Sequence, residues 1–245
     1  MDRWIGKIAV ITGASSGIGL TTAKALVQSG MIVVGLARRK DRMETEMNDM
    51  PEARGKFHAI QCDVSNDNDV VESFKWIKNN VGKVQVLINN AGILVKGKFT
   101  DLENATLQNI INVNVMGTVF CAREALKVIQ ADNLPGHIIN INSIVGHRAV
   151  KPEREDINIY IASKHAITGF SETLVREVMG QNIRVTSISP GLVQTNLMGP
   201  VDLTKLGLPV LQPKDVADSI IHVLGKPQNV QVKELIITSL GENLP

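Results

Sequence analysis

One tyrosine stands in the whole chain of 245 residues, Tyr160, and Lys164 follows it four positions later. Tyrosine ordinarily serves packing and surface hydrogen bonding, so a chain that has dispensed with it everywhere else points to a chemical use for this one. On a helix, residues i and i+4 share a face, which sets the Lys164 ammonium beside the Tyr160 phenol. A free phenol has a pKa of about 10, too high for easy proton exchange near neutrality, and a cation held within about 4–6 Å favours the phenolate. The pair reads as a general acid/base in which Lys164 depresses the phenol pKa. Tyr-x-x-x-Lys alone also arises by chance on helices, so other signals must decide.

A second such signal is Thr12-Gly13-Ala14-Ser15-Ser16-Gly17-Ile18-Gly19. Glycines between a strand and a helix permit a tight turn and a close approach of backbone to a pyrophosphate, and the helix start offers unpaired N–H groups and a positive dipole end. The spacing is Gly-x-x-x-Gly-x-Gly, a departure from the general dinucleotide fingerprint, and a purely structural turn is the alternative. About two dozen residues after the first glycine, where an NAD site tends to carry a carboxylate, stands Ala37-Arg38-Arg39. The forked donors of Arg38 suit a 2′-phosphate and Arg39 can stack on adenine or support it, which selects NADP(H). A solvated charge cluster with Lys40 and Arg42 is the competing explanation.

The elements that position these groups follow from hydrophobic patterning. Short apolar, β-branched runs at 7–12, 31–37, 56–62, 84–89, 137–143, 183–189 and 234–239 predict seven buried strands. Segments 17–30, 40–50, 66–81, 102–131, 158–180 and 213–225 carry apolar residues at helical spacing, with Ser65 a plausible cap for the third. Regular alternation predicts an α/β fold, a single doubly wound parallel seven-stranded sheet with helices on both faces, formed by residues 1–245 as one domain. Such sheets bind ligands beyond the carboxyl ends of their strands.

Together, the glycine turn, Cys62-Asp63-Val64, Asn89-Asn90-Ala91-Gly92, Asn112-Val113-Asn114, Ile141-Asn142-Ser143, Tyr160-Ile161-Ala162-Ser163-Lys164 and Pro190-Gly191-Leu192-Val193-Gln194-Thr195 resemble the short-chain dehydrogenase/reductase family from about residue 7 to 239. The amino-terminal stretch and the Arg38-Arg39 pair are similar to its farnesol-dehydrogenase-like branch. The resemblance implies that Ser143 binds the substrate oxygen, Tyr160 is the acid/base, Lys164 binds the nicotinamide ribose, and Asn114 holds a relay water. It implies that Gly13, Ser15, Ser16, Gly17, Ile18 and Gly19 hold the pyrophosphate side of the cofactor. Asp63 and Val64 meet adenine, and Asn90, Ala91 and Gly92 line the adenosine ribose. Pro190, Gly191, Val193 and Thr195 lie at the nicotinamide, while Asn89 supports the sheet. A homodimer or homotetramer through the helices at 102–131 and 158–180 is expected by the same analogy.

Ser143 and Tyr160 are 17 positions apart, more than the family usually shows. The extra segment 145–156 suggests a flap over substrate, in which His147 and Arg148 read as solvated, substrate contact being the alternative. The substrate loop, about 192–212, is rich in leucine, and with Leu94, Val95, Ile144 and Val145 it suggests a small hydrophobic alcohol or carbonyl substrate, isoprenoid, steroid-like or a medium-chain aldehyde.

Composition sets the boundaries. A formal charge of +2 with interleaved signs indicates neither nucleic acid nor an anionic membrane as partner. Cys62 and Cys121 lie in apolar stretches and are expected as buried free thiols of a cytoplasmic protein. No membrane span, signal peptide or metal-ligand spacing is read from the sequence. Ser143 has no histidine placed as its base, which disfavours a hydrolase. Little chain remains for the sugar-binding lobe of an epimerase. A non-enzymatic NADP(H)-binding redox sensor is the remaining alternative, and it would have no use for an acid/base pair.

Overall fold

The computed structural model describes residues 1–48, 50, 53–148, 157–199 and 202–242. Seven strands, β1 (Ile8–Thr12), β2 (Ile32–Ala37), β3 (Lys56–Gln61), β4 (Val84–Asn89), β5 (Gly136–Ile141), β6 (Ile183–Pro190) and β7 (Glu234–Ile237), form one sheet in the order β3-β2-β1-β4-β5-β6-β7. Every pairing is parallel. Burial on both faces explains why β1, β4, β5 and β6 are buried along their whole lengths and read as continuous apolar runs.

One face carries α1 (Gly17–Gln28), α2 (Lys40–Met47) and α7 (Pro213–Gly225), closing on Leu26, Met31, Met43, Ile88 and Ile220. The opposite face carries α3 (Asp67–Asn80), α5 (Gly117–Ala131) and α6 (Asn158–Glu177), closing on Phe74, Ile77, Leu87, Cys121, Ile129 and Leu174. Cys62 and Cys121 are free and buried, and burial pushes the Cys62 thiol up to about 11 and raises Cys121 as well. Both are therefore poor nucleophiles near neutrality.

Two local expectations change. The cap of α3 is Asn66, whose side chain accepts from the Asn68 N–H at 3.0 Å, while Ser65 instead donates to Asp63 at 2.7 Å. The helix expected over 102–131 begins as α4 (Asn104–Ile111), passes through a π turn at Asn112–Met116, and resumes as α5. A π turn inserts one residue per turn and marks functional positions more often than plain helix does; here it carries Asn114. The flap at 145–156 lies outside the described residues from 149 onward, and its beginning is a single 3-10 turn, Ile144–Gly146, capped by Ser143.

No described helix is long and apolar enough to cross a membrane. Strand order reverses between β1 and β4, so the loops leaving those two strands flank a crevice, the place where doubly wound sheets take ligands.

Candidate active site

The crevice is built first by glycines. Gly13 and Gly17 have φ of +68° and +54°, a left-handed backbone that few other residues accept. Gly19 is excluded from carrying a side chain by space, since a Cβ would stand 2.5 Å from the Gly13 carbonyl oxygen and 2.5 Å from Asn90 Nδ2. The start of α1 therefore lies directly on the turn, with its free N–H groups at the crevice. Thr12, the first residue of the glycine motif and one given no role from the sequence, ties the two flanking loops together. Its Oγ1 accepts from the Asn90 and Ala91 N–H groups, each at 2.9 Å, and Asn90 Nδ2 donates to the Thr12 carbonyl at 2.9 Å.

Arg38 is exposed just past β2 and forms no ion pair with a described residue. Arg39 donates to Ser15 Oγ at 3.3 Å, bringing the arginine pair and the glycine turn together. Asp63 follows β3 with one carboxylate oxygen held by the Ser65 N–H and hydroxyl, and Val64 packs so tightly on α5 that a Cβ at Gly117 would meet it at 2.8 Å. Across the crevice, the Thr195 methyl stands 3.2 Å from where a Gly17 Cβ would be. The glycine turn, an exposed arginine beyond β2 with no ion pair among the described residues and Thr195 on the far wall fit a nicotinamide dinucleotide.

The chemical groups stand at the ends of β4, β5 and β6. Tyr160 and Lys164 are both buried on one face of α6, with the Lys164 ammonium 5.7 Å from the centre of the Tyr160 ring. Lys164 Nζ donates to the Ile141 carbonyl at 3.0 Å. The turn after Ser143 can lie against α6 because residue 146 is glycine; a Cβ there would approach the Lys164 carbonyl oxygen to 2.8 Å. Ile144 and Leu94 pack with Val145, Ile157 and Tyr160 in one apolar cluster. The Asn114 carboxamide accepts from the Ile93 N–H at 2.8 Å, and donates to the Ile93 carbonyl and to Ser163 Oγ, each at 3.0 Å. Ser163, which the sequence reading left without a role, donates to the Tyr160 carbonyl at 2.7 Å.

The acid/base pair is assembled, but its electrostatics differ from the expected depression of the phenol. Burial pushes the Tyr160 phenol up, and burial also lowers Lys164 to about 8. Burial disfavours the charged form of each group, and the ammonium, whose hydrogen bond goes to the Ile141 carbonyl, does not offset that cost for the phenol. His147 also departs from the solvated reading: its Nε2 lies 3.0 Å from Ser189 Oγ and 2.9 Å from Glu234, with the side chain 19% exposed. The 3-10 turn folds that side chain back over the end of β6. Asn89 meets the expected supporting role, donating to Asn140 Oδ1 at 3.0 Å inside the sheet.

Glu242 is a further residue that no sequence signal marked. Its carboxylate accepts from the Leu192 N–H at 2.6 Å and from the Ser239 N–H at 3.1 Å. It fills the space beside Gly191, where a Cβ would meet it at 2.1 Å.

The family model described as short chain dehydrogenase matches residues 7–206. A farnesol dehydrogenase of Aedes aegypti is 44% identical over 99% of this chain and 99% of its own. A dehydrogenase/reductase SDR family member 11 of Mus musculus is 37% identical over 96% of this chain and 95% of its own. Among solved structures, an alcohol dehydrogenase of Thermococcus sibiricus complexed with 5-hydroxy-NADP superposes with a TM-score of 0.87 at 27% identity, covering 97% of this chain and 98% of that one.

Proposed function

The chain belongs to the short-chain dehydrogenase/reductase family of nicotinamide-dependent oxidoreductases, and from that premise we propose that it moves a hydride between NADP(H) and a hydrophobic alcohol or carbonyl. The observation that carries this reading is the stacking of Lys164 on Tyr160 beside the turn that Ser143 caps, at the strand ends next to the glycine cradle.

The bound dinucleotide supplies or accepts the hydride, and the chain supplies position and protons. Gly13, Ser15, Ser16, Gly17, Ile18 and Gly19 hold the pyrophosphate, and Arg38 and Arg39 hold the 2′-phosphate. Asp63, Val64, Asn90, Ala91 and Gly92 bound the adenosine, with Pro190, Gly191, Val193 and Thr195 at the nicotinamide. In carbonyl reduction, negative charge grows on the substrate oxygen, and the Ser143 and Tyr160 hydroxyls stabilise it by donating hydrogen bonds. Burial holds Tyr160 in its protonated form, the form this direction requires, and the phenol then gives up its proton. Lys164 grips the ribose and offsets the phenolate charge. Asn114, with both amide hydrogens committed to Ile93 and Ser163, accepts a relay water on its remaining lone pair. Alcohol oxidation runs these steps in reverse.

An apolar wall of Leu94, Ile144, Val145, Ile157 and Ile161 around Tyr160 supports a hydrophobic substrate of the farnesol or steroid kind. Homodimeric or homotetrameric assembly and a cytoplasmic location complete the proposal. The test is a screen of hydrophobic alcohols and aldehydes by nicotinamide absorbance, with Tyr160→Phe as control. Turnover should fall about 10²–10⁴-fold in the variant while NADPH still binds. A wild type inert on the whole panel, or an active Tyr160→Phe enzyme, would remove the assignment.

A further inference from the structure

Two residues before Tyr160, the backbone does something unusual. Asn158, at the start of α6, has φ +38°, and among the described non-glycine residues only Asn133 shares that left-handed region. Asparagine tolerates the conformation better than most residues, yet it remains strained, and such strain collects where a site demands it. The side chain shows what the strain accomplishes. Both hydrogens of its amide are directed at one distant loop, to the Val95 carbonyl at 2.9 Å and the Gly97 carbonyl at 3.0 Å, while Oδ1 accepts from the Ile159 N–H at 2.7 Å. The loop is shaped to present those two oxygens: Gly97 has φ +148°, and a Cβ there would press on Leu102 at 3.0 Å. From the same loop, Leu94 packs into the cluster of Val145, Ile157 and Tyr160.

We propose that Asn158 is a positioning residue for substrate selection, latching the 93–97 loop onto the start of α6 so that Leu94 closes the apolar wall beside Tyr160. This rests on the hydrophobic-substrate reading above and adds the device that maintains the wall. Without the latch, the loop is tethered at Asn114 through Ile93 but holds α6 only by the packing of Leu94, without the two amide hydrogen bonds. Two neutral hydrogen bonds shift such an open–closed equilibrium by roughly 10–100-fold. A small alcohol has little use for the wall, whereas a long-chain alcohol binds through it.

Two variants separate the backbone from the amide. Asn158→Asp keeps the tolerance for positive φ and the acceptor for Ile159 but turns a carboxylate toward two carbonyl oxygens. Asn158→Gly keeps the backbone and removes the side chain. Trypsin reads the latch without reference to activity, because Lys96 and Lys98 are exposed on the loop. In both variants cleavage after these lysines should quicken about 10-fold or more, with the thermal midpoint and NADP(H) affinity close to wild type. KM for 1-decanol should rise about 10-fold while that for 1-propanol and kcat change less than about 3-fold. Wild-type proteolysis in the Asp variant overturns the latch, and faster proteolysis with an unchanged decanol-to-propanol preference overturns its role in selection. Should the wild type oxidise neither alcohol, the hydrophobic-alcohol reading and the role in selection both fall, and the proteolysis result alone decides the latch.

Discussion

Lys164 Nζ donates to the Ile141 carbonyl across 3.0 Å, joining the helix that carries Tyr160 to the strand that leads into Ser143. Burial lowers this ammonium to about 8, so its charge disappears as the pH rises through that value. If the charged form grips the cofactor ribose, NADP(H) should bind roughly 10-fold more weakly at pH 9.5 than at pH 7. Lys164→Met should flatten that profile. Stability runs the other way. The unfolded amine keeps its proton up to about 10.4, so between about 8 and that value the unfolded state binds more protons and folding stability rises with pH. Urea midpoints at pH 7.5, 9 and 10 should climb for the wild type relative to Lys164→Met, and parallel curves would contradict the buried, easily deprotonated ammonium.

Arg38 is exposed past β2 and has no carboxylate partner among the described residues, which leaves its guanidinium available to a 2′-phosphate. Charge-assisted hydrogen bonds of that kind are worth about 1.5–3 kcal/mol, or roughly 10–100-fold in affinity. Arg38→Asp should weaken NADP(H) by that factor and NAD(H) by less than about 3-fold in a titration of nicotinamide fluorescence. An unchanged ratio would reassign the arginine to the solvated surface.

The seven parallel strands, the glycine turn and the Tyr160–Lys164 pairing on one helix face were legible because each is written locally, in short apolar runs, a strand-to-helix turn and a four-residue spacing. What stayed hidden depends on partners distant in sequence. Nothing near Asn114 announces that its carboxamide spends itself on Ile93 and Ser163, so the π turn read as plain helix. His147 looked solvated because its partners, Ser189 and Glu234, lie 42 and 87 positions away. The direction of the Tyr160 shift was missed for a related reason, since spacing reveals a neighbouring charge and conceals how completely both groups are buried.

His137 is buried in β5, with Nε2 2.8 Å from Thr186 Oγ1 and Nδ1 without a hydrogen-bond partner among the described residues. Burial, assisted by the nearby Arg184 and Arg3 charges, holds its pKa well below the ordinary histidine value. The unfolded histidine takes a proton near about 6.5 and the folded one does not, so stability is full above that pH and is lost as the pH falls below it. The slope from this group reaches at most about 1.4 kcal/mol per pH unit. His137→Gln, which can still reach Thr186, should lose less stability than the wild type between pH 7 and 5 in urea titrations. Identical losses would show that the histidine is protonated in the folded protein.

Glu242 reaches from beyond β7 to the chain leaving β6, where its carboxylate accepts from the Leu192 N–H and, with its other oxygen, from the Ser239 N–H. These are hydrogen bonds to a charged acceptor, worth about 1.5–3 kcal/mol together with the cost of leaving the Leu192 donor unpaired. They hold the root of the 192–212 loop, whose far end is fastened by the Val193–Leu211 bridge and by the Gln194 N–H donating to the Leu211 carbonyl at 2.8 Å. Glu242→Ala releases one anchor and leaves the other. Cleavage within the loop by trypsin at Lys205, which is exposed, should quicken about 10-fold. NADP(H) affinity should fall with it, because the same carboxylate fixes the peptide at Gly191. Glu242→Gln, which retains a single acceptor oxygen, should lie between. A cleavage rate at Lys205 that ignores both substitutions would mean that the bridge alone holds the loop and that Glu242 is incidental to the site.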